Sequence, residues 1–347
     1  MTLIYFILIL GITVFIHELG HFIFAKKNGV YCHEFSLGMG PKLYSFKRKN
    51  DETEYCLRLF PIGGYVQMAG EEIEEDKDIP KNKQMQYKSV WQRFIIVVAG
   101  ALNNFILGII LLFIMAIIWG SPEIKPIISS VDKNYNAYKV NVKEGDLITK
   151  VNGHKVSTLD DVMLEFALVE QGDSVKLTLI NSNGDEKNVS IKPTKVENED
   201  GTNSYLYGIS FSSEINKGFV SSLKYSFSKF VSIYKSMFKI IGNLITGNLG
   251  LNNLSGPVGI YNVVGEQSKA GFENVVYLTA YISINVGFIN LIPFPAFDGG
   301  RALFLIIEKI RKKPVSQKTE NTIHLIGFML LMLLLIVITI NDIAKLF

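Results

Sequence analysis

Apolar residues fall in four long blocks along this chain, separated by mixed or polar stretches. Residues 3–25, 91–119, 275–294 and 322–340 are each long and apolar enough to cross about 30 Å of hydrocarbon as a helix. Between the first two blocks, "KLYSFKRK", "EYCLRLF" and "GGYVQM" read as strand pieces, with Pro61-Ile62 separating the last two. The tract "EEIEEDKD" that follows reads as a solvated, disordered acidic loop. Between the second and third blocks, residues 121–212 carry short β-rich runs such as "SVKLTLI" and "NVSIKP", divided by turns at Asn152-Gly153 and Asn183-Gly184. "STLDDVMLEFALV" reads as a short amphipathic helix with Ser157 or Thr158 at its N-cap. In "FVSSLKYSFSKFVSIYKSMFKIIGNLI", aromatic and aliphatic residues recur at helical spacing among Lys224, Lys229, Lys235 and Lys239. That pattern predicts a basic amphipathic helix in the membrane interface; packing along the soluble domain is the other reading.

The expected fold is therefore a polytopic α-helical membrane protein with four spanning helices, a β-hairpin region and one inserted α+β domain. Its expected parts are an N-terminal membrane part (1–120), the soluble domain (121–212), the amphipathic helix (213–250) and a C-terminal membrane part (251–347). Positive charge orients it. Residues 26–92 hold eleven Lys and Arg, and residues 309–318 hold five more. Both stretches should be cytoplasmic, which places both termini and residues 120–274 outside. The apolar N-terminus lacks the basic start and small-residue cleavage site of a signal peptide and is read as a retained helix.

Composition changes this picture little. Mean hydropathy is +0.25, high for a simple soluble enzyme. The net charge of +3 comes without a contiguous basic stripe, so no nucleic-acid partner is expected. Cys32 and Cys56 have no metal-ligand or CxxC spacing, and nothing demands a disulfide between them.

The chemistry lies in "VFIHELGHFIF", where His17, Glu18 and His21 are the only acidic or basic side chains of the first block. Charge at such a depth is costly and marks function by default. On a helix, His17 and His21 at i and i+4 share a face and can converge on one Zn²⁺, with Glu18 beside them to handle a proton of an attacking water. An HExxH match arises by chance in roughly one per cent of chains this long, so a third ligand is needed to carry the reading. "NLIPFPAFDGGR" supplies a candidate: Asp298 is the only acidic or basic residue between Glu273 and Arg301. Pro293 and Pro295 break the helix there and free backbone groups that only protein or a wet cavity can satisfy. Both Asp298 and His21 lie at the expected cytoplasmic side. His33, His154 and His324 read as surface or interfacial residues, and Arg301 as an interfacial anchor rather than a partner of Asp298.

These residues resemble the site-2 protease family of intramembrane zinc metalloproteases, in particular its bacterial RseP/RasP-type group with one PDZ domain. HELGH matches the family's HExxH, and "NLIPFPAFDGG" resembles its N-x-x-P-x-P-x-L-D-G motif, with Phe297 where Leu is usual. The resemblance implies His17, His21 and Asp298 as zinc ligands, Glu18 as catalytic acid/base and Asn290 as a substrate-backbone contact. "RLFPIGGYVQMAGE" is similar to the membrane-associated hairpin, which implies that Gly63, Gly64, Tyr65 and Val66 meet an extended substrate. "GALNNF" resembles a G-x-x-x-N-F segment, from which Asn103 is taken as a further substrate contact; "SGPVGI" matches a motif of less certain role. "EGDLITKVNGHKV" resembles the core of a PDZ domain. The implied activity is cleavage of single-span membrane proteins, such as anti-sigma factors, or of signal-peptide remnants, in a bacterial plasma membrane and after an upstream site-1-type protease. The rival readings are a PDZ membrane adaptor with a structural metal site and a metal-ion transporter.

Overall fold

The computed structural model describes residues 1–71, 76–197, 203–212 and 214–345. Half of the acidic tract at 71–78, residues 72–75, lies outside the described residues. Among the described residues, four helices are long and apolar enough to cross a membrane: Thr2–Lys27, Val90–Ile118, Phe272–Leu291 and Lys318–Ala344, the last being most of Gln317–Ala344. The third ends before its apolar run does because Ile292 precedes Pro293, and a residue before proline is pushed to extended geometry. The chain then turns and starts a further helix, Asp298–Arg311, with Asp298 in its first turn.

The chain divides into two compact units. The first comprises residues 1–111 and 251–347, the second residues 112–250. In the first unit, strands Cys32–Lys47 and Glu54–Met68 pair twice. Residues 64–67 and 54–57 take opposite edges of 34–37, while 44–47 pairs along the far side of 54–57. The order across this sheet is thus 64–67, 34–37, 54–57, 44–47. The two pieces read in the sequence on either side of Pro61-Ile62 belong to one long strand, yet they sit on different edges. The sheet buries Phe35, Val66 and Met68 with Ile96, Val97 and Leu305, so two helices and the sheet share one core. Cys32 and Cys56 are free thiols.

In the second unit, four antiparallel strands run in the order His154–Lys155, Leu147–Val151, Val175–Ile180, Glu186–Ile191. Their core is Ile148, Val151, Val175, Leu177, Leu179 and Ile191, with Val162 from the helix Leu159–Ala167. Thr158 caps that helix in a reciprocal box with Asp161. Asn152 and Gly153 both have positive φ, at 49° and 87°, as a two-residue hairpin turn requires. The lysine-bearing helix is Phe219–Ile245. Lys229 pairs with Asp160 at 2.6 Å and Lys239 with Glu165 at 3.2 Å, so these lysines face the soluble domain. Its other face leaves Phe219, Leu223, Phe227, Val231 and Phe238 exposed.

Candidate active site

The site begins with the spacing of the first helix. His17 and His21, four residues apart, stack edge to face with ring centroids 4.8 Å apart, and both are buried at 8% exposure. Their Nε2 atoms lie 3.2 Å from each other. Asp298 Oδ2 lies 3.0 Å from His17 Nε2 and 3.2 Å from His21 Nε2. Bonds of about 2.0–2.1 Å to a tetrahedral centre set donor atoms about 3.3 Å apart, so this triangle has the edge length that zinc requires.

Protonation supports the same fit. The His21 Nδ1–H donates to the Ile96 carbonyl at 2.9 Å, which leaves a lone pair on Nε2. Asp298 Oδ2 is buried and makes no hydrogen bond of its own. Lone pairs from an imidazole and a carboxylate thus meet in a buried space with no donor between them. A cation resolves that conflict, and the two-nitrogen, one-oxygen set suits Zn²⁺ with a position left open. Among the described residues a second acid and thiol cluster exists, Glu34, Glu54 and Cys56. Its carboxylates are already taken by Arg58 at 2.6 Å and Lys42 at 2.8 Å.

The second helix completes the pocket at its closest approach to the first. A Cβ on Gly100 would sit 2.4 Å from His21 Nε2, so only glycine leaves the ring its place. One turn on, the Asn104 side-chain amide lies 3.3 Å from His17 Nδ1. If His17 offers its Nε2 lone pair, its proton is on Nδ1 and the amide oxygen must face it. Amide ends exchange by a half turn, and Asn104 Oδ1 is otherwise without a partner. Asn103, expected as a substrate contact, has its Nδ2 3.4 Å from the Ile16 carbonyl. The motif's own spacing, with its asparagine four residues after Gly100, points to Asn104.

Glu18, His17, His21 and Asp298 line a cavity of about 200 Å³ together with Tyr65 and Val66. Gly64 packs beside Glu18, and Gly63 has a φ of 87° at the start of this stretch. Tyr65 is held from behind: its hydroxyl donates to Glu34 at 2.8 Å, and Arg58 Nη2 donates to Tyr65 at 2.6 Å. Burial disfavours the Glu34 carboxylate, but bonds from Arg58, Tyr65, Lys42 and Cys56 outweigh it and bring its pKa down to about 2. Asn290 is half-buried next to the end of the third helix at Leu291. A larger cavity of about 1080 Å³ shares Glu71, Asp298 and Arg301 with the first.

The other suspected residues have definite partners. Arg301 pairs with Glu71 across the two cavities, not with Asp298. His33 meets Asp76 at 2.5 Å, and the exposed His154 meets Glu165 at 2.7 Å. His324, read as an interfacial ring, instead accepts a hydrogen bond from the Ala296 backbone N–H at 3.1 Å.

The chain matches the family model described as peptidase family M50 over residues 5–334. It is 32% identical to the regulator of sigma-W protease RasP of Bacillus subtilis, covering all of this chain and 99% of that protein. It is 33% identical to the zinc metalloprotease RasP of Shouchella clausii, again over all of this chain and 99% of the relative. Among solved structures, the PDZ domain of an SdrC-like protein from Listeria monocytogenes matches at 24% identity with a TM-score of 0.20, covering 24% of this chain and 84% of that domain.

Proposed function

The chain belongs to peptidase family M50 and is an intramembrane zinc metalloprotease of the multi-pass type, and we propose that His17, His21 and Asp298 hold its zinc while Glu18 moves the proton. The observation that carries this reading is the triangle of Nε2, Nε2 and Oδ2 at 3.0–3.2 Å, built from residues about 280 positions apart. Held by His17, His21 and Asp298, a zinc ion would supply Lewis acidity toward water and the scissile carbonyl. Glu18 takes a proton from the attacking water and passes it to the leaving amide nitrogen as the C–N bond breaks. The water oxygen ends in the new carboxylate and the proton on the new amine. Asn104 and the Ile96 carbonyl hold the two imidazoles in the tautomer that binds metal.

A transmembrane substrate must unwind first, because its peptide bonds are closed by helical hydrogen bonds. Among the described residues, 64–67 pair with 34–37 along one edge only, and Tyr65 and Val66 line the cavity. We assign to Gly63, Gly64, Tyr65 and Val66 the role of a strand edge that pairs with the extended substrate, and to Asn290 a further backbone contact. The substrate class is a single-span membrane protein or signal-peptide remnant. The name of the Bacillus subtilis relative favours an anti-sigma factor, and the reading takes it to be trimmed beforehand by another protease. The inserted domain is read as a PDZ domain that screens substrates by size. In this reading the basic loops face the cytoplasm of a bacterial cell and the active site lies near that side. The inserted domain and both termini then lie outside.

The deciding variant is Glu18→Gln. It should retain zinc and lose cleavage of a membrane reporter by a factor of about 10³ or more; full cleavage would refute the mechanism. Comparing membrane fragments from wild-type and Glu18→Gln cells identifies the substrate.

A further inference from the structure

We propose that His324, on the fourth membrane helix, is a positioning residue for the Asp298 carboxylate, holding in place the strained turn that carries it. The inference rests on reading Asp298 as a metal ligand.

The turn starts where the third helix fails. Pro293 and Pro295 contribute no N–H, and Ala296 follows with a φ of 86°, a region that a side chain with a Cβ disfavours. Asp298 comes two residues later. Ala296 is therefore both the strained residue and the holder of a freed backbone donor. That donor is satisfied by His324 Nδ1 at 3.1 Å. Accepting at Nδ1 leaves the ring proton on Nε2, which makes no hydrogen bond among the described residues and lies 3.9 Å from Glu320 Oε1, while the His324 and Phe304 ring centroids are 5.7 Å apart.

The fourth helix also grips the turn through its backbone. A Cβ on Gly327 would lie 2.4 Å from Pro295 Cβ and 2.6 Å from the Pro295 carbonyl oxygen. Residues three apart share a helix face, so His324 and Gly327 meet Pro295 and Ala296 together. From the other side, Gly299 and Gly300 would carry a Cβ only 2.2 Å from the Ile292 oxygen and 2.5 Å from the Phe294 oxygen. The turn is thus clamped between two helices, and His324 supplies the hydrogen bond that opposes its strain. Without that acceptor, the Ala296 N–H loses its partner and the backbone relaxes toward negative φ. Asp298 Oδ2 is then free to leave its 3.0 and 3.2 Å contacts with the two histidines.

The test uses the full-length protein purified in detergent, with Zn²⁺ affinity from chelator competition and the visible absorption of the Co²⁺-substituted site. His324→Leu should lower zinc affinity about 10–100-fold and alter the Co²⁺ bands. His324→Asn places an oxygen acceptor where Nδ1 stood and should stay within about threefold of wild type, whereas His324→Gln should fall with the Leu variant. Ala296→Gly tolerates the positive φ and should shrink the loss caused by His324→Leu, a coupling that general destabilisation does not produce. Wild-type affinity in His324→Leu, or equal affinity in the Asn and Gln variants, overturns the proposal. If the Leu variant does not fold, the Asn and Gln pair decides. Asp298→Asn separates the two readings. Unchanged zinc affinity there removes the ligand assignment and this inference with it. Weakened affinity there, with none lost in His324→Gln, removes this inference alone.

Discussion

Replacing Gly100 by alanine adds one methyl group at the most crowded point of the site. The new Cβ would lie 2.4 Å from His21 Nε2 and 2.8 Å from both His17 Cε1 and His21 Cε1. Ordinary van der Waals contact begins near 3.4 Å, so the His21 ring must retreat by about 1 Å, whereas metal–ligand distances tolerate only about 0.2 Å. The second helix has no easy escape. It carries the Ile96 carbonyl that orients His21 and the Asn104 amide that meets His17, so backing away releases both rings. A ligand displaced by about 1 Å should cost at least a factor of about 100, or near 2.8 kcal/mol, in zinc affinity. The assay is chelator competition for zinc on purified protein, with peptide-reporter cleavage alongside. Gly108→Ala is the control: its Cβ would meet Ile284 Cγ1, also at 2.4 Å, two turns further along the same helix. That variant should lose some thermal stability and keep its zinc. Wild-type zinc affinity in Gly100→Ala, or an equal loss in both variants, would show that the histidine geometry is not what glycine protects.

Asn104→Leu should lower zinc affinity about 10–100-fold, while Asn104→Asp, still an acceptor for His17 Nδ1–H, should lower it less; the reverse order would mean that Asn104 donates to His17. Asp342 accepts the backbone N–H groups of Gly256 and Gly259, each at 2.8 Å, and so caps the helix Pro257–Ala270. Asp342→Ala should destabilise by about 2–3 kcal/mol without touching zinc content; an unshifted melting temperature would contradict this. Glu34 has its pKa lowered from 4.5 to about 2 in the fold, so its pairing stabilises above pH 4.5 and is lost as pH falls through about 2. Stability of the sheet region, followed by limited proteolysis, should decline by up to about 3 kcal/mol over that window, and Arg58→Met should flatten the decline. An unchanged slope in Arg58→Met would remove Arg58 from the cause.

What the sequence yields here depends on whether a group's partner is itself a letter in the chain. His17, His21 and Asp298 could be read together because they are the rare acidic or basic residues at the same end of two apolar blocks, where lipid offers nothing to satisfy them. The four spans follow from the same contrast. Neighbouring side chains on a helix point about 100° apart, which is why Asn103 and Asn104 differ so much: one reaches the Ile16 carbonyl, the other His17. The pairing of 54–57 and 64–67 with opposite edges of one strand is long-range and leaves no local pattern. His324 and Asp342 show the deeper obstacle. Both are polar residues of an apolar helix, and both spend their acceptors on backbone N–H groups, of Ala296 and of Gly256 and Gly259. Backbone donors carry no residue identity, but their release does: Pro293 and Pro295 mark one site, and the glycine–proline start of Pro257–Ala270 marks the other. A lone acceptor in a membrane helix is therefore best matched against helix starts and proline breaks elsewhere in the chain before it is set down as an interfacial ring.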